Sequence, residues 1–369
     1  MKNTNNNSSK NTNNNYVAIM AGGVGSRFWP MSTSAYPKQF LDVLNTGKTL
    51  LQETYNRYLG IIPNENIYVV TNKEYVDIVH EQLPFLPKEN IIGEVARKNT
   101  APCVAYIASR LHKLNPNANL VIAPSDHLIT DVNSFQKDCQ QALDYTEKHN
   151  AFVTLGIKPT GPNTGYGYIQ YDQRYENNIY NVNRFAEKPN KADAMKYLTA
   201  GNFLWNAGIF IWKAENILNA FRTYCPDLYE AFHSLRDRYF TASENYYAAE
   251  VFYNCKSISI DYAIMEHAKN VYVIPASFAW SDLGTWNSAW ENSNKDENQN
   301  AVEGQYSLAL NTKGCNIRSN EEKLVVVAGV EDLIIINTKD ALLVCKKDNE
   351  QEIKYFSQQA REQFPLLAV

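Results

Sequence analysis

Residues 21–40 read AGGVGSRFWPMSTSAYPKQF. Three glycines, Gly22, Gly23 and Gly25, stand at the end of the apolar run Tyr16–Met20, and Arg27 and Lys38 follow near Pro30 and Pro37. Glycine lets the backbone approach a ligand closely and turn its N–H groups toward it. A guanidinium and an ammonium beside such a loop match a polyphosphate. The segment is therefore expected to cradle phosphates, with Ala21, Gly22, Gly23, Gly25 and Ser26 supplying main chain and Arg27 and Lys38 supplying charge. It is neither of the two common phosphate loops. Phe28 stands where a dinucleotide fingerprint places its third glycine, and Asp42 where a Walker A loop places its first. Gly47-Lys48-Thr49 matches the end of a Walker A loop but is read as a turn into a helix over Leu50–Leu59.

Carboxylates come next. Asp126 lies in Pro124-Ser125-Asp126-His127, directly after the apolar run Asn119–Ala123. At the edge of a parallel sheet it would sit beside the glycine loop, where a carboxylate suits Mg2+ bridged to phosphate oxygens. A turn or cap aspartate is the plainer alternative. His127 is read as structural, because six histidines without paired spacing make no zinc motif. Asp282, in Trp280-Ser281-Asp282-Leu283-Gly284-Thr285-Trp286, is either a second such carboxylate or the N-cap of a helix starting near Thr285. Glu187 and Lys188 close a strand-like run. They suit vicinal hydroxyls and a phosphate, or else form a surface ion pair.

With these residues in place, the 21–40 segment closely resembles the signature of mannose-1-phosphate guanylyltransferases, which belong to the sugar-nucleotide pyrophosphorylases. The resemblance runs over about residues 16–366, and at least five separated motifs keep the family order. It implies that the Asp of WSDLGTW, Asp282, is the second metal ligand with Asp126, and that the cofactor is Mg2+. In Phe185-Ala186-Glu187-Lys188-Pro189 it assigns Glu187 to sugar hydroxyls and Lys188 to the sugar phosphate. Asn206 in Trp205–Phe210 and Asp261 in Ser259–Glu266 become further hydroxyl partners, though Asp261 also reads as a helix cap. Gly165 and Tyr166 match a glycine–aromatic lid over the sugar. Glu94–Pro102 matches the base-recognition region in part. Val95 and Lys98 stand where relatives carry Pro and often Arg, whereas Asn99, Thr100, Ala101 and Pro102 are intact. Glu94, Asn99, Thr100, Pro124 and Ser125 are thus assigned to the nucleotide, although Asn99 or Thr100 could simply cap the helix Thr100–Leu114.

The implied reaction is GMP transfer from GTP to mannose 1-phosphate, giving GDP-mannose and pyrophosphate. The sugar phosphate is already a nucleophile at neutral pH, so alignment and charge neutralisation suffice. A pyrophosphorylase for another base or sugar is the nearer alternative. A non-catalytic sugar-nucleotide sensor is disfavoured by the retained Arg27, Lys38 and aspartates, and an NAD dehydrogenase by the missing glycine. Longer relatives carry an isomerase domain, an activity not expected of these 369 residues.

The elements that must position these residues alternate between strand and helix from Tyr16 to Leu155, which predicts βαβ units and a mixed, mainly parallel sheet. Antiparallel runs follow at Gly165–Tyr171 and Ile179–Ala186. Helices are expected at Lys191–Ala200, Ala214–Arg222 and Asp227–Tyr239, and strands at Gly208–Trp212 and Asn270–Pro275. Beyond Asn300 helices nearly vanish, and Lys323–Val327, Leu333–Asn337 and Ala341–Cys345 read as short strands. The fold class is thus α/β, a Rossmann-like nucleotidyltransferase domain over residues 16–295. A small β-rich domain over residues 300–369 follows, which the resemblance makes a left-handed β-helix. Residues 1–15 are polar, low in complexity and expected to be disordered.

Composition sets outer bounds. At 44% hydrophobic, 20% charged and a net charge of −4, the chain has no basic excess for nucleic acid or an anionic membrane. Six cysteines without C-x-x-C spacing, and no secretory or membrane-spanning run, predict a reduced, cytoplasmic protein. The resemblance favours a homodimer.

Overall fold

The structure, a computed structural model, describes residues 13–365. Residues 1–12 of the expected disordered tail and the last four residues of the C-terminal region lie outside the described residues. The tail reading extends too far at its end, because the first strand already takes in Asn15.

Continuous β-branched and apolar runs bounded by turn residues form the strands. In chain order these are β1 (Asn15–Ala21), β2 (Ile67–Asn72), β3 (Ile91–Glu94), β4 (Asn119–Pro124), β5 (Leu128–Ile129), β6 (Phe152–Ile157), β7 (Tyr168–Glu176), β8 (Ile179–Ala186), β9 (Phe203–Lys213), β10 (Val271–Pro275) and β11 (Trp280–Ser281). Nine of them make one mixed sheet in the order β3-β2-β1-β4-β9-β6-β10-β8-β7. Strands β1 to β4 run parallel, while β9 enters antiparallel between β4 and β6. The pleat sends alternate side chains to opposite faces. Tyr16 and Ala18 therefore join one core with the helix Thr100–Leu114, while Val17, Ile19 and Ala21 join the other with the helices Leu50–Tyr58 and Val132–Lys148. Thr49 caps Leu50–Tyr58 in a capping box with Gln52, which explains why Gly47-Lys48-Thr49 is a turn.

One expected helix is shorter than its sequence pattern. Pro226–His233 is helical, the chain then turns through Phe240, and a further helix, missed in the sequence, spans Glu244–Asn254. Buried Glu244 organises the turn. It accepts from Tyr106 Oη at 2.6 Å, Arg110 Nε at 2.8 Å and Phe240 N at 2.7 Å.

The C-terminal strands are β12 (Ala301–Glu303), β13 (Ser307–Leu310), β14 (Asn316–Ser319), β15 (Val325–Ala328), β16 (Leu333–Asn337) and β17 (Leu342–Lys346). Successive coils advance 18 residues, since Ser307 pairs with Val325 and Asn316 with Ile334, both in parallel. Helices are scarce beyond Asn300, as expected, but one was not foreseen. Ile353–Gln363 is helical, with Ile353 and Ser357 buried on its inner face. Ile334, Ile336, Leu343 and Ile353 share a core with Phe28, Trp29, Leu283 and Trp286 of the catalytic half. The β-rich region therefore buttresses the glycine loop directly.

Candidate active site

The strand order reverses between β1 and β4, the position where open α/β sheets bind ligands at their carboxyl edge. The glycine loop leaves β1 there and Ser125-Asp126 leaves β4. Ser125 is buried, and its amide bonds to Met20 O at 3.2 Å.

Protein groups hold the loop's carbonyls and leave its amides free. Gln39 Nε2 donates to Ala21 O and Gly23 O, both at 2.9 Å, and Ser32 Oγ donates to Val24 O at 2.6 Å. Among the described residues, none of the amides from Gly23 to Arg27 has a protein partner. Gly25 has φ +67°, and a Cβ there would collide with the Lys38 side chain. Only glycine meets both conditions. Arg27 is exposed on the single turn Ser26–Phe28. Lys38 is buried instead, with its Nζ 2.8 Å from Asp126 Oδ2, 3.0 Å from Asp282 O and 2.8 Å from Leu283 O. An ammonium has three N–H donors, so all are occupied within the protein. Lys38 thereby ties the loop to both carboxylate-bearing segments, a role its spacing in the sequence did not show.

Asp126 and Asp282 are brought together through this ammonium and through the antiparallel pairing of β5 with β11. Burial works to raise the Asp126 carboxyl, but the Lys38 ammonium at 2.8 Å outweighs it and holds it below its ordinary range. Asp282 Oδ1 accepts from Tyr166 Oη at 2.8 Å and from Gly284 N at 3.1 Å. Thr285, not Asp282, caps the helix Trp286–Asn292. His127 lines the cleft, and its Nδ1 accepts from Trp280 Nε1 at 3.2 Å, which leaves the ring proton on Nε2. Burial pushes its pKa down, so the ring is neutral. Neither His127 nor Trp280 stands out in the sequence as a cleft residue, although both adjoin the aspartates.

One cleft of about 520 Å³ collects most of the rest. Gly22, Gly23 and Pro124 line the end nearest the glycine loop. Glu94, Asn99 and Thr100 line a second wall with Arg97, Lys98 and Cys103, over an apolar floor of Met20, Val70, Ile122 and Phe210. Asn99 also caps Thr100–Leu114 through Thr100 N at 2.8 Å, so its two readings coexist. Burial pushes Glu94 up to about 7, and its Oε1 is buried without a partner. The opposite wall carries Gly165, Tyr166, Glu187, Lys188, Asn206 and Asp261. Here Glu187 Oε1 pairs with Lys188 Nζ at 2.6 Å, and Asn206 Nδ2 donates to Asp261 Oδ1 at 2.9 Å. Burial, helped by the Glu187 charge, pushes Asp261 up to about 6. Ala21, Gly25, Ser26, Arg27, Lys38, Ser125 and Asp126 stand behind or beside this lining rather than in it.

A glycine loop with free amides, two aspartates and a cluster of carboxylate, amide and ammonium side chains thus gather in and around one cleft. The nucleotidyl transferase family matches residues 16–299, and a mannose-phosphate isomerase/GMP-like β-helix domain matches residues 306–359. The mannose-1-phosphate guanylyltransferase of Salmonella montevideo is 40% identical over 345 residues, covering 91% of this chain and 72% of its own. A putative mannose-1-phosphate guanylyltransferase of Vibrio cholerae is 38% identical over 342 residues, with 91% and 72% covered. This chain belongs to the mannose-1-phosphate guanylyltransferase family. A Thermus thermophilus structure described as a mannose-1-phosphate geranyltransferase is 30% identical and superposes with a TM-score of 0.84, covering 95% of this chain and all of that one. Both domains of the guanylyltransferase family, catalytic and β-helix-like, are thus present. No helix among the described residues is long and apolar enough to cross a membrane.

Proposed function

We propose that this chain transfers the guanylyl group of GTP to mannose 1-phosphate, releasing pyrophosphate and GDP-mannose. The observation that carries this reading is the single cleft with three distinct walls: free loop amides at one end, Glu94 over an apolar floor, and the Glu187–Asp261 cluster opposite. The free amides and Arg27 receive the triphosphate. Lys38 neutralises Asp126 from beneath and reaches a phosphate only by releasing one of its protein oxygens. The unpartnered Glu94 carboxylate matches the adjacent N1–H and N2–H donors of guanine, which adenine lacks. Glu187, Asn206 and Asp261 take the mannose hydroxyls, and Lys188 steadies the attacking phosphate in line with the α-phosphorus.

The residues present fit Mg2+. Asp126 is held ionised, and among the described residues Asp126 Oδ1 and Asp282 Oδ2 accept no hydrogen bond. Among the described residues no cluster of three or more His, Cys, Asp or Glu can hold a metal unaided. Two carboxylates completed by phosphate oxygens and water are the set Mg2+ accepts. When bound, the ion supplies charge neutralisation at the α-phosphate and the leaving pyrophosphate.

The test is a substrate panel of four nucleoside triphosphates against several hexose 1-phosphates, with pyrophosphate release measured. GTP with mannose 1-phosphate is expected to give the highest kcat/KM. A higher value for any other pair overturns the assignment.

A further inference from the structure

Tyr166 touches both halves of the site. Its backbone lies between Gly165 and Gly167 on the sugar side. Gly167 O accepts from Asn206 N at 2.8 Å, and a Cβ on Gly167 would collide with Glu187 Oε2, so this strip of chain is pressed against two of the hydroxyl-binding residues. The side chain runs the other way. Its ring packs edge-on against Trp205, with centroids 4.9 Å apart, and against Trp280 at 5.3 Å. Its Oη then donates to Asp282 Oδ1 at 2.8 Å. A carboxylate with one oxygen fixed by a donor presents the other in a defined direction, which is how neighbouring hydrogen bonds orient metal ligands.

We propose that Tyr166 is a positioning residue that couples the sugar side to the metal side. The strip that lies on the sugar side holds Asp282 Oδ1 and leaves Oδ2 for the metal, so sugar phosphate and metal strengthen each other's binding. The inference rests on the assignment of the two walls above. Lys38 Nζ holds the backbone carbonyl of Asp282 rather than its carboxylate, so among the described residues the phenol and the Gly284 amide set the carboxylate's orientation. Coupling is reciprocal: if mannose 1-phosphate tightens the metal, the metal tightens mannose 1-phosphate by the same factor.

The experiment compares the full chain with Tyr166→Phe, which keeps the ring between the two tryptophans and removes only the hydroxyl. Mn2+ is titrated by electron paramagnetic resonance in the presence of the α,β-methylene analogue of GTP, whose bridge blocks pyrophosphate release, with and without mannose 1-phosphate. The expected result is that Mn2+ affinity falls about 10- to 100-fold in Tyr166→Phe. The enhancement by mannose 1-phosphate, present in the parent chain, should collapse toward unity. In steady-state assays the Mg2+ concentration for half-maximal rate should rise in parallel. Equal Mn2+ affinity in the two proteins, or an undiminished enhancement in Tyr166→Phe, overturns the coupling. A far-ultraviolet spectrum and melting temperature matching the parent exclude a folding defect, and Asp282→Asn combined with Tyr166→Phe should lose no more affinity than Asp282→Asn alone. The Mn2+ titration needs no turnover, so a parent chain that binds Mn2+ and GTP but transfers no guanylyl group would fail the substrate assignment while the comparison still decides Tyr166.

Discussion

At the scale of single residues, the carboxylates divide by environment. Asp126 is held ionised by Lys38, whereas Asp261 is pushed up to about 6 by burial and by the nearby Glu187 charge, with Lys188 and Asn206 partly offsetting this. An unfolded aspartate titrates near ~4. Between that value and about 6 the folded state holds the Asp261 proton more tightly, so its contribution to stability falls as pH rises through this window and is level above it. Sugar binding should run the opposite way, because an ionised Asp261 accepts hydroxyl hydrogens at both oxygens. The KM for mannose 1-phosphate is expected to rise as pH drops below about 6 while that for GTP follows a different profile. Asp261→Asn should remove the inflection, and a sugar KM that is flat from about pH 5 to 8 in the parent chain would separate Asp261 from the sugar. Asp126→Asn and Asp282→Asn should each lower kcat by ~10²–10³, checked at saturating Mg2+. Glu187→Gln should raise the KM for mannose 1-phosphate roughly tenfold and leave that for GTP unchanged, since one lost contact acts on one substrate.

At the scale of elements, the glycine loop depends on one backbone conformation. Gly25→Ala would place a methyl against the Lys38 stem and hold φ at +67°, costing about 1–3 kcal/mol. Because Lys38 ties the loop to Asp126 and Asp282, the loss of turnover should exceed what reduced stability explains. The check is kcat measured well below the melting transition, with near-parental turnover counting against the clamp. The loop, the strands β1 to β4 and Asp126 were legible in the sequence because each sits in or beside a contiguous apolar run, whereas Asp282 was joined to Asp126 only through the family resemblance. What lay hidden depends on partners distant in the chain. The contacts of Lys38 with Asp126 and residues 282–283 join segments that its local sequence does not connect. The bond by which Trp280, far along the chain, fixes the tautomer of His127 is equally invisible in its local sequence. The helix Glu244–Asn254 went unread because its stability comes from Glu244 bonding to Tyr106 and Arg110, not from a strong apolar stripe. The helix Ile353–Gln363 buries only a narrow face, so its surface-rich composition resembles a tail.

At the scale of the whole molecule, the β-rich region is bound to the catalytic half by more than a linker. Arg318, buried, donates to Val43 O and pairs with Glu303 at 2.7 Å, and Asn316 Nδ2 donates to Trp286 O at 2.9 Å. The shared core of Phe28, Trp29, Leu283 and Trp286 with Ile334, Ile336 and Leu343 lies just behind the glycine loop and the Asp282 segment. Deleting residues 301–369 should therefore expose that core, giving insoluble protein or a melting temperature lower by more than about 10 °C, on the order of a few kcal/mol. The outer face of the same region points to assembly. Leu308 and Leu310 on β13, Val326 on β15 opposite Leu308, and Leu324 just before β15 are between 46% and 68% exposed, and among the described residues this pair of strands has no further sheet partner. A contiguous apolar strip of this kind on an open sheet is a site for burial against another chain. A homodimer through this face is the proposed state, in keeping with the family resemblance. Leu308→Glu combined with Val326→Glu places two charges on it without touching the inner core residues Ile317, Val327 and Ile335. Analytical ultracentrifugation should give a dimer for the parent chain and a folded monomer for the double variant. A dimer that survives both charges would put the interface elsewhere, and a monomeric parent chain would end the proposal.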